Sequence, residues 1–152
     1  MDFDQPYRGG FVARSDGARE HRFALTVYFE DTDTAGIVYY ANYLKFMERA
    51  RSDMLRAAGI DQRAAQEDGT GVYAVAEANI RYLKPAKLGD DLVIVSTVPT
   101  VRAASVVIHQ RVMRGPEHLV DGRITAAFLG PDDKPRRQPR DWVERFKALS
   151  ED

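Results

Sequence analysis

Three carboxylates lie close together in the segment Glu30-Asp-Thr-Asp33, just before a long stretch with helical apolar spacing. A carboxylate can act as a general base or as a nucleophile. The start of a helix offers free N–H groups and a partial positive charge, which together stabilise negative charge that develops on an oxygen atom. Carboxylates placed at a helix start therefore favour chemistry on an electrophilic carbonyl group, with Asp33 as the candidate base or nucleophile.

A purely structural interpretation explains the same residues. Aspartate is a favoured N-cap residue, so Asp31 or Asp33 could simply cap the helix. Gly36, which closes the acidic turn, is a usual turn residue. The local pattern leaves both interpretations open.

Other kinds of catalytic site are absent from the sequence. The histidines at positions 21, 109 and 118 stand singly, with no spacing typical of metal ligands. The chain has no cysteine, which excludes disulfides, thiolate metal sites and a cysteine nucleophile. Gly69-Thr-Gly71 is a turn and not a phosphate-binding loop. The sequence therefore predicts neither a metal nor a cofactor.

Length and composition describe an ordinary globular chain. Its 152 residues are enough for one domain, and 44% of them are hydrophobic and 30% charged. The formal net charge of −1 gives no basic field for nucleic acid or for an anionic membrane surface. The N-terminus lacks the apolar run of a secretory signal, and no apolar stretch is long enough to span a bilayer. We expect a cytoplasmic protein.

The acidic turn joins a predicted strand to a predicted long helix. Hydrophobic and polar residues alternate over 22–29, as in a half-buried strand. Helical spacing over 38–58 gives a broad apolar stripe, which is typical of a helix wrapped by other structure, and Gly59 ends it. Glu48 and Arg51 lie in or beside the stripe, three residues apart, and could form an ion pair.

The rest of the chain predicts mainly strands. We expect a second helix over 61–67, strands over 72–83, 91–101, 104–113 and 119–129, a loop over 131–139, and a C-terminal helix around Trp142 and Phe146. Short links between long strands indicate antiparallel neighbours. Residues 1–20 show no periodicity and are expected to form a flexible N-terminal arm before a single domain over 21–152. The predicted class is α+β, with one antiparallel sheet covering one long helix.

Several motifs resemble those of a known family. Tyr28-Phe-Glu-Asp-Thr-Asp-Thr-Ala-Gly-Ile-Val-Tyr-Tyr-Ala-Asn-Tyr43, followed by Glu48-Arg-Ala-Arg51, resembles the signature of hotdog-fold acyl-CoA thioesterases. The branch it resembles most is the Tol–Pal-associated, YbgC-type branch of the 4-hydroxybenzoyl-CoA thioesterase family. The likeness continues through Tyr82-Leu-Lys-Pro-Ala-Lys-Leu-Gly-Asp90 and Arg102-Ala-Ala-Ser105, so it covers nearly the whole chain after the arm.

The resemblance implies a fold, an activity and a set of site residues. It implies a sheet wrapped around a long helix, active sites at a dimer interface, and dimers that often pair into tetramers. It implies that Asp33 attacks a thioester carbonyl or activates water, and that the backbone N–H of Tyr40 polarises the carbonyl oxygen. Gly36 and Glu48 are candidate substrate-binding residues, and Arg102 matches a position where some members hold the phosphates of coenzyme A. Coenzyme A is part of the substrate, and acyl carrier protein is a possible alternative carrier.

The chain also departs from the family pattern. Many YbgC-type members carry histidine where this chain has Tyr40, which leaves the acyl preference open. Arg102 is followed by two alanines, so it could equally be an exposed turn residue. A non-catalytic hotdog module that binds acyl-CoA or acyl carrier protein, or serves an envelope complex, is an alternative, although Asp33 argues against it. A hotdog dehydratase is disfavoured because no histidine lies between His21 and His109.

Overall fold

A computed structural model describes residues 9–150, which form one antiparallel sheet and three helices. The strands are β1 (Gly10–Ala13), β2 (Arg19–Thr26), β3 (Val72–Tyr82), β4 (Asp91–Val101), β5 (Ser105–Arg114) and β6 (Glu117–Leu129). The helices are α1 (Asn42–Ala57), α2 (Gln62–Glu67) and α3 (Arg140–Lys147), and a short 3₁₀ turn covers Phe29–Asp31. The spatial strand order is β1-β2-β4-β5-β6-β3.

Helix α1 packs on the concave face of the sheet through its apolar stripe. Phe46, Met47 and Ala50 are at most 1% exposed. Strand residues on the same face alternate with partly buried ones on the other face, as in β5, where every second residue from Val106 to Val112 is buried. The prediction of an α+β architecture with one antiparallel sheet around one long helix is confirmed.

A row of buried polar side chains crosses the sheet beneath the middle of α1. His21 of β2 pairs in register with Ser96 of β4, which pairs with Gln110 of β5, and all three are at most 1% exposed. The Gln110 amide donates to the Met47 carbonyl and to the Ser96 hydroxyl, each at 3.0 Å. Its oxygen accepts from the Arg51 guanidinium at 3.0 Å. We call His21, Ser96 and Gln110 the polar row.

The polar row lies between two apolar clusters. One cluster surrounds the first half of α1 and includes Tyr43, Phe46 and Leu92. The other surrounds the second half and includes Met54, Trp142 and Phe146. Buried residues therefore line the whole length of α1. They are apolar at its two ends and polar in the middle, at the polar row.

The imidazole of His21 links the sheet to α1 inside the core. Its Nε2 lies 2.7 Å from a carboxylate oxygen of Asp53, and its Nδ1 has no partner among residues 9–150. Burial lowers the pKa of His21, although the hydrogen bond and the charge of Asp53 act in the opposite direction. Because a carboxylate oxygen accepts, Nε2 is the donor to Asp53.

Three sequence-based expectations need correction. Helix α1 begins at Asn42 and not at Val38, because residues 31–39 form a hairpin-like loop. Residues 10–13, which were expected to belong to a flexible arm, form strand β1 and pair with residues 19–22 of β2. Residues 1–8 lie outside the described part of the chain. Strand β3 is an edge strand beside β6 and not a neighbour of β4, since the link between β3 and β4 runs along the 31–39 loop and is not a hairpin turn.

None of the helices within residues 9–150 is both long enough and apolar enough to cross a membrane.

Candidate active site

Residues 31–39 form a tight loop that holds Asp33 at its tip. The Asp33 N–H donates to the Ile37 carbonyl at 2.8 Å, and the Tyr39 N–H donates to the Asp31 carbonyl at 3.0 Å. Gly36 closes the turn with φ +79°, a conformation that favours glycine, and its N–H donates to the Asp33 carbonyl at 3.1 Å. The acidic turn is therefore a defined backbone structure before the helix begins.

Asp33 does not cap the helix. Residue 41 occupies the N-cap of α1 and makes no side-chain cap hydrogen bond. The Asp33 carboxylate is exposed, and its only donor among residues 9–150 is the Ala35 N–H, at 2.8 Å. The Asp31 carboxylate accepts from the Tyr28 N–H at 2.9 Å and so caps the short 3₁₀ turn. Neither residue caps α1, and the second oxygen of Asp33 has no donor within the described residues.

Tyr40 lies immediately before α1 instead of within its first turn. Its carbonyl accepts from the Tyr82 hydroxyl at 3.3 Å and from the Tyr43 N–H at 3.4 Å. Its own N–H has no acceptor within residues 9–150, and the residue is 61% exposed. The loop thus places an unpaired backbone donor a few residues from an exposed carboxylate.

The segment 84–90 supports this loop. The Val38 N–H donates to the Ala86 carbonyl at 2.9 Å, and the Leu88 N–H donates to the Gly36 carbonyl at 3.3 Å. The Ala86 N–H in turn donates to the buried Tyr43 hydroxyl at 3.1 Å. Beyond the Pro and Gly content of the segment, no sequence pattern indicates these contacts, because they join residues 43 to 52 positions apart.

An ion cluster fixes the end of the same segment. Arg114 lies 2.8 Å from Asp90 and 3.2 Å from Glu117. The pKa of Asp90 is held below its usual range mainly by the hydrogen bond from the Lys87 N–H, and also by the Arg114 guanidinium. Arg114 likewise lowers the pKa of Glu117. These carboxylates are ionised and structural, and they do not belong to the reacting groups.

Glu48 and Arg51 do not form the predicted ion pair. The Glu48 carboxylate accepts from the Ser52 hydroxyl at 2.7 Å, while Arg51 donates to Gln110 of the polar row. No carboxylate lies within 4.0 Å of the Arg51 guanidinium among residues 9–150. The two side chains are nevertheless close enough for the Glu48 charge to act on the pKa of Arg51.

Arg102 lies at the other end of α1 from Asp33. It is exposed in the β4–β5 turn and borders a surface pocket of about 630 Å³ together with Arg137, Arg140 and Lys147. The Arg145 guanidinium of α3 donates to the Ala58 carbonyl just after α1, which places α3 at this far end. A helix of 16 residues is about 24 Å long, so one chain does not bring Arg102 and Asp33 together.

Exposed aromatic side chains surround the acidic loop. Phe29 is 81% exposed, and Tyr28, Tyr39, Tyr40 and Tyr82 are also exposed. The rings of Tyr40 and Tyr82 meet edge to face, with centroids 6.1 Å apart. A contiguous apolar surface of this kind is typical of a ligand-binding or protein-binding site.

The part of the chain that the structure describes contains no group of three or more His, Asp or Glu side chains that could hold a metal ion.

Comparisons with known proteins show the family to which the chain belongs. The family model of the thioesterase superfamily matches residues 35–120. An acyl-CoA thioester hydrolase, YbgC, of Escherichia coli O6:H1 is 34% identical over 83% of this chain and 95% of its own length. An acyl-CoA thioesterase, YbgC, of Haemophilus influenzae is 40% identical over 83% of this chain and 90% of its own. The crystal structure of a probable thioesterase from Bartonella henselae superposes with a TM-score of 0.74 and 32% identity, covering 79% of this chain and 99% of that one.

Proposed function

Because the chain belongs to the thioesterase superfamily and is a thioester hydrolase with the hotdog fold, we propose that it hydrolyses acyl-CoA thioesters at the loop that carries Asp33. The observation that carries the proposal is that one short segment, 33–40, holds both an exposed carboxylate and the unpaired N–H of Tyr40 just ahead of α1. Gly36 gives the loop its turn. The reaction converts an acyl thioester and water into a carboxylate and a free thiol.

The two groups have distinct parts in the reaction. The Tyr40 N–H, next to the positive end of α1, donates to the thioester carbonyl oxygen and stabilises the charge that develops there. Asp33 either takes a proton from the attacking water or attacks the carbonyl carbon itself. In the second case an anhydride forms, the thiolate leaves, and water cleaves the anhydride to restore the carboxylate. Both routes use the same two groups, so the geometry supports the reaction class rather than one route.

Release of free thiol is the direct test of this function. The purified chain is mixed with short, long and aromatic acyl-CoAs in the presence of a thiol-reactive dye; the chain itself contributes no signal because it has no cysteine. We expect turnover of at least one thioester. Binding without thiol release for every thioester would instead favour the non-catalytic acyl-CoA or acyl-carrier-protein module.

The proposed site also needs a second copy of the chain. Strand β3 is an edge strand with Val75 53% and Tyr82 47% exposed, and such an edge is a ready surface for pairing. Two-fold antiparallel pairing of β3 with itself would set the Val72 end of one copy beside the Tyr82 end of the other. The Val72 end carries Arg102, because the Tyr73 hydroxyl donates to Gln138, whose amide donates to the Arg102 carbonyl. We propose a homodimer, or a tetramer of two such dimers, in which each site takes Asp33 from one copy and Arg102 from the other.

We expect light scattering to show at least a dimer. Mixed dimers of two variants then test whether Asp33 and Arg102 of one site come from different copies. In a mixture of Asp33→Asn and Arg102→Ala chains, half of the sites in each mixed dimer would contain both wild-type residues. Those sites should combine the wild-type kcat with the wild-type KM, because Asp33→Asn alone lowers kcat and Arg102→Ala alone raises KM. An active monomer, or a mixture that keeps only the raised KM, would contradict the shared site.

We predict that Arg102 contacts a phosphate group of coenzyme A. Arg102→Ala should raise KM with little change in kcat, because the phosphates are remote from the reacting carbonyl and are bound alike in the substrate and in the transition state. Added salt should reduce the difference. Arg123→Ala, an exposed arginine in the middle of β6, is the matched control and should leave KM unchanged. An unchanged KM for Arg102→Ala at low salt would refute the assignment.

A further inference from the structure

The turn between β4 and β5 is held from outside. It covers residues 102–105, and its sequence Arg-Ala-Ala-Ser contains no glycine, proline, asparagine or aspartate, the residues that set the backbone of most tight turns. Inside the turn, the Arg102 N–H donates to the Ser105 carbonyl at 2.8 Å. The other three carbonyls of the turn therefore need donors from elsewhere in the chain.

Gln138 supplies most of these donors. Its side-chain amide donates to the Arg102 carbonyl at 2.7 Å and also to the Ser105 carbonyl at 3.1 Å. Its backbone N–H donates to the Ala103 carbonyl at 2.8 Å. The fourth carbonyl of the turn accepts from an N–H of β6, at 2.8 Å. Gln138, which is 5% exposed, thus binds three of the four turn residues.

The Tyr73 hydroxyl fixes the orientation of this amide. It donates to Oε1 of Gln138, and burial raises the pKa of Tyr73, so the hydroxyl keeps its proton. Because the amide nitrogen faces two carbonyls and Oε1 faces a donor, one orientation of the amide satisfies all three partners. The Tyr73 ring packs against Phe128 and Trp142, with centroids 5.2 Å and 6.0 Å away. Gln138 therefore ties the turn to β3, the edge strand at which we propose that a second copy pairs.

The guanidinium of Arg102 depends on this support for its position. Among residues 9–150 it has no hydrogen bond or ion pair, and the residue is exposed. A side chain without partners is directed only by its backbone and its rotamers. The pocket that it borders is lined by the turn and by a second segment that carries Arg137 and Lys147. Gln138 joins these two segments, so its contacts set the distance between Arg102 and the other cations.

We propose that Gln138 is a positioning residue for the binding of coenzyme A and acts by holding the turn that carries Arg102. The inference rests on the proposed function, because it takes Arg102 to contact a phosphate group of coenzyme A. Both amide hydrogens of Gln138 already bond to carbonyls, so the side chain has no donor left for the ligand. Loss of Gln138 should therefore weaken binding in the same way as loss of Arg102, and leave the loop around Asp33 unaffected.

Two kinds of thioester test this role in the variant Gln138→Leu, which fills a similar volume but bonds to none of the carbonyls. We expect KM for an acyl-CoA to rise by about 10-fold, the value of a hydrogen bond to a charged group, with little change in kcat. KM for the N-acetylcysteamine thioester of the same acid, which has no phosphate group, should stay within about 2-fold. An equal rise for both thioesters, or an unchanged KM for the acyl-CoA, would overturn the proposal.

A double-mutant cycle shows whether Gln138 acts through Arg102. The double variant Gln138→Leu, Arg102→Ala should raise KM no further than Arg102→Ala does alone, because a misplaced turn matters only when it carries the guanidinium. Effects that multiply would mean that Gln138 acts independently, and would contradict the proposal. Gln110→Leu makes the same substitution at another buried glutamine and is the matched control. It should lower stability and leave the ratio of the two KM values unchanged.

Tyr73→Phe is a milder variant that decides the question if Gln138→Leu does not fold. It removes the hydroxyl that orients the Gln138 amide and keeps the aromatic packing. We expect KM for the acyl-CoA to rise by about 3-fold, the value of an ordinary hydrogen bond, and KM for the N-acetylcysteamine thioester to stay unchanged. An unchanged ratio of the two KM values in this variant would count against the role of Gln138.

A binding measurement separates this inference from the proposed function. Calorimetric titration with coenzyme A, and with pantetheine, which lacks every phosphate group, requires no turnover. We expect Gln138→Leu to weaken the binding of coenzyme A by about 10-fold and to leave the affinity for pantetheine unchanged. Equal affinities of the wild type and Gln138→Leu for coenzyme A would overturn the role of Gln138. A wild-type chain that binds coenzyme A but releases no thiol would contradict the proposed function alone.

Discussion

Replacing Asp33 with asparagine is expected to reduce kcat by roughly 10²–10⁴ while leaving the fold intact. Asparagine cannot accept a proton at neutral pH and is a poor nucleophile, so either proposed route fails. The loss corresponds to about 3–5 kcal/mol of barrier. The side-chain oxygen of asparagine can still accept from the Ala35 N–H, so the turn should persist. Steady-state thiol release and a melting curve on the same preparation give both quantities.

The matched control for this variant is Glu30→Gln, which removes an exposed carboxylate from the same segment. It should retain activity within a few-fold. A fully active Asp33→Asn enzyme would show that Asp33 serves only the turn, and would direct attention to Asp31 or Glu48. The variant must be assayed fresh and its mass checked, because slow deamidation of the new asparagine restores aspartate.

Replacing Gln110 with leucine is expected to destabilise the protein by about 3 kcal/mol. Leucine fills a similar volume but removes hydrogen bonds to Arg51, Met47 and Ser96 at once. The Met47 carbonyl keeps its helical partner, whereas the Ser96 hydroxyl and the half-buried guanidinium lose theirs. The midpoint of urea denaturation should fall at unchanged slope, measured at one fixed protein concentration.

A combined variant shows whether the unpaired partners cause the loss. Adding Arg51→Met and Ser96→Ala to Gln110→Leu removes the stranded polar groups, and removal of all partners of a buried hydrogen bond is often nearly neutral. We expect the triple variant to recover more than half of the lost stability. A triple variant less stable than Gln110→Leu would mean that packing, and not hydrogen bonding, dominates at this row.

The long periodic elements could be predicted from the sequence because their patterns are local. The apolar stripe of α1 and the alternation in β4, β5 and β6 each lie within a single segment, and the structure places those elements within a few residues of the predicted bounds. Strand β1 was not predicted, since its four residues include one glycine and owe their conformation to pairing with β2. The short link between β3 and β4 suggested that these strands are neighbours. It contacts the acidic loop instead of forming a hairpin turn, so the position of β3 at the sheet edge could not be predicted.

The positions of the candidate site residues could be proposed from the sequence, but the contacts that support them could not. The family signature points to Asp33, Gly36 and Tyr40, whose roles stay predictions, and all three lie in the segment 33–40 ahead of α1. The contacts of Tyr43 with Ala86 and of Arg51 with Gln110 join residues 43 and 59 positions apart, and no local pattern encodes such pairs. The predicted pairing of Glu48 with Arg51 was wrong, since Glu48 accepts from Ser52 and Arg51 donates to Gln110.

The polar row also separates two apolar clusters, one around Tyr43 and Leu92 and the other around Trp142 and Phe146. Proteins open locally in contiguous cooperative units, and we expect each cluster to behave as one such unit. The first unit carries the acidic loop on its surface. Deuterium uptake at the start of α1 should therefore proceed through openings that leave α3 and the second half of α1 protected. The loop would thus be able to rearrange around a substrate without global unfolding.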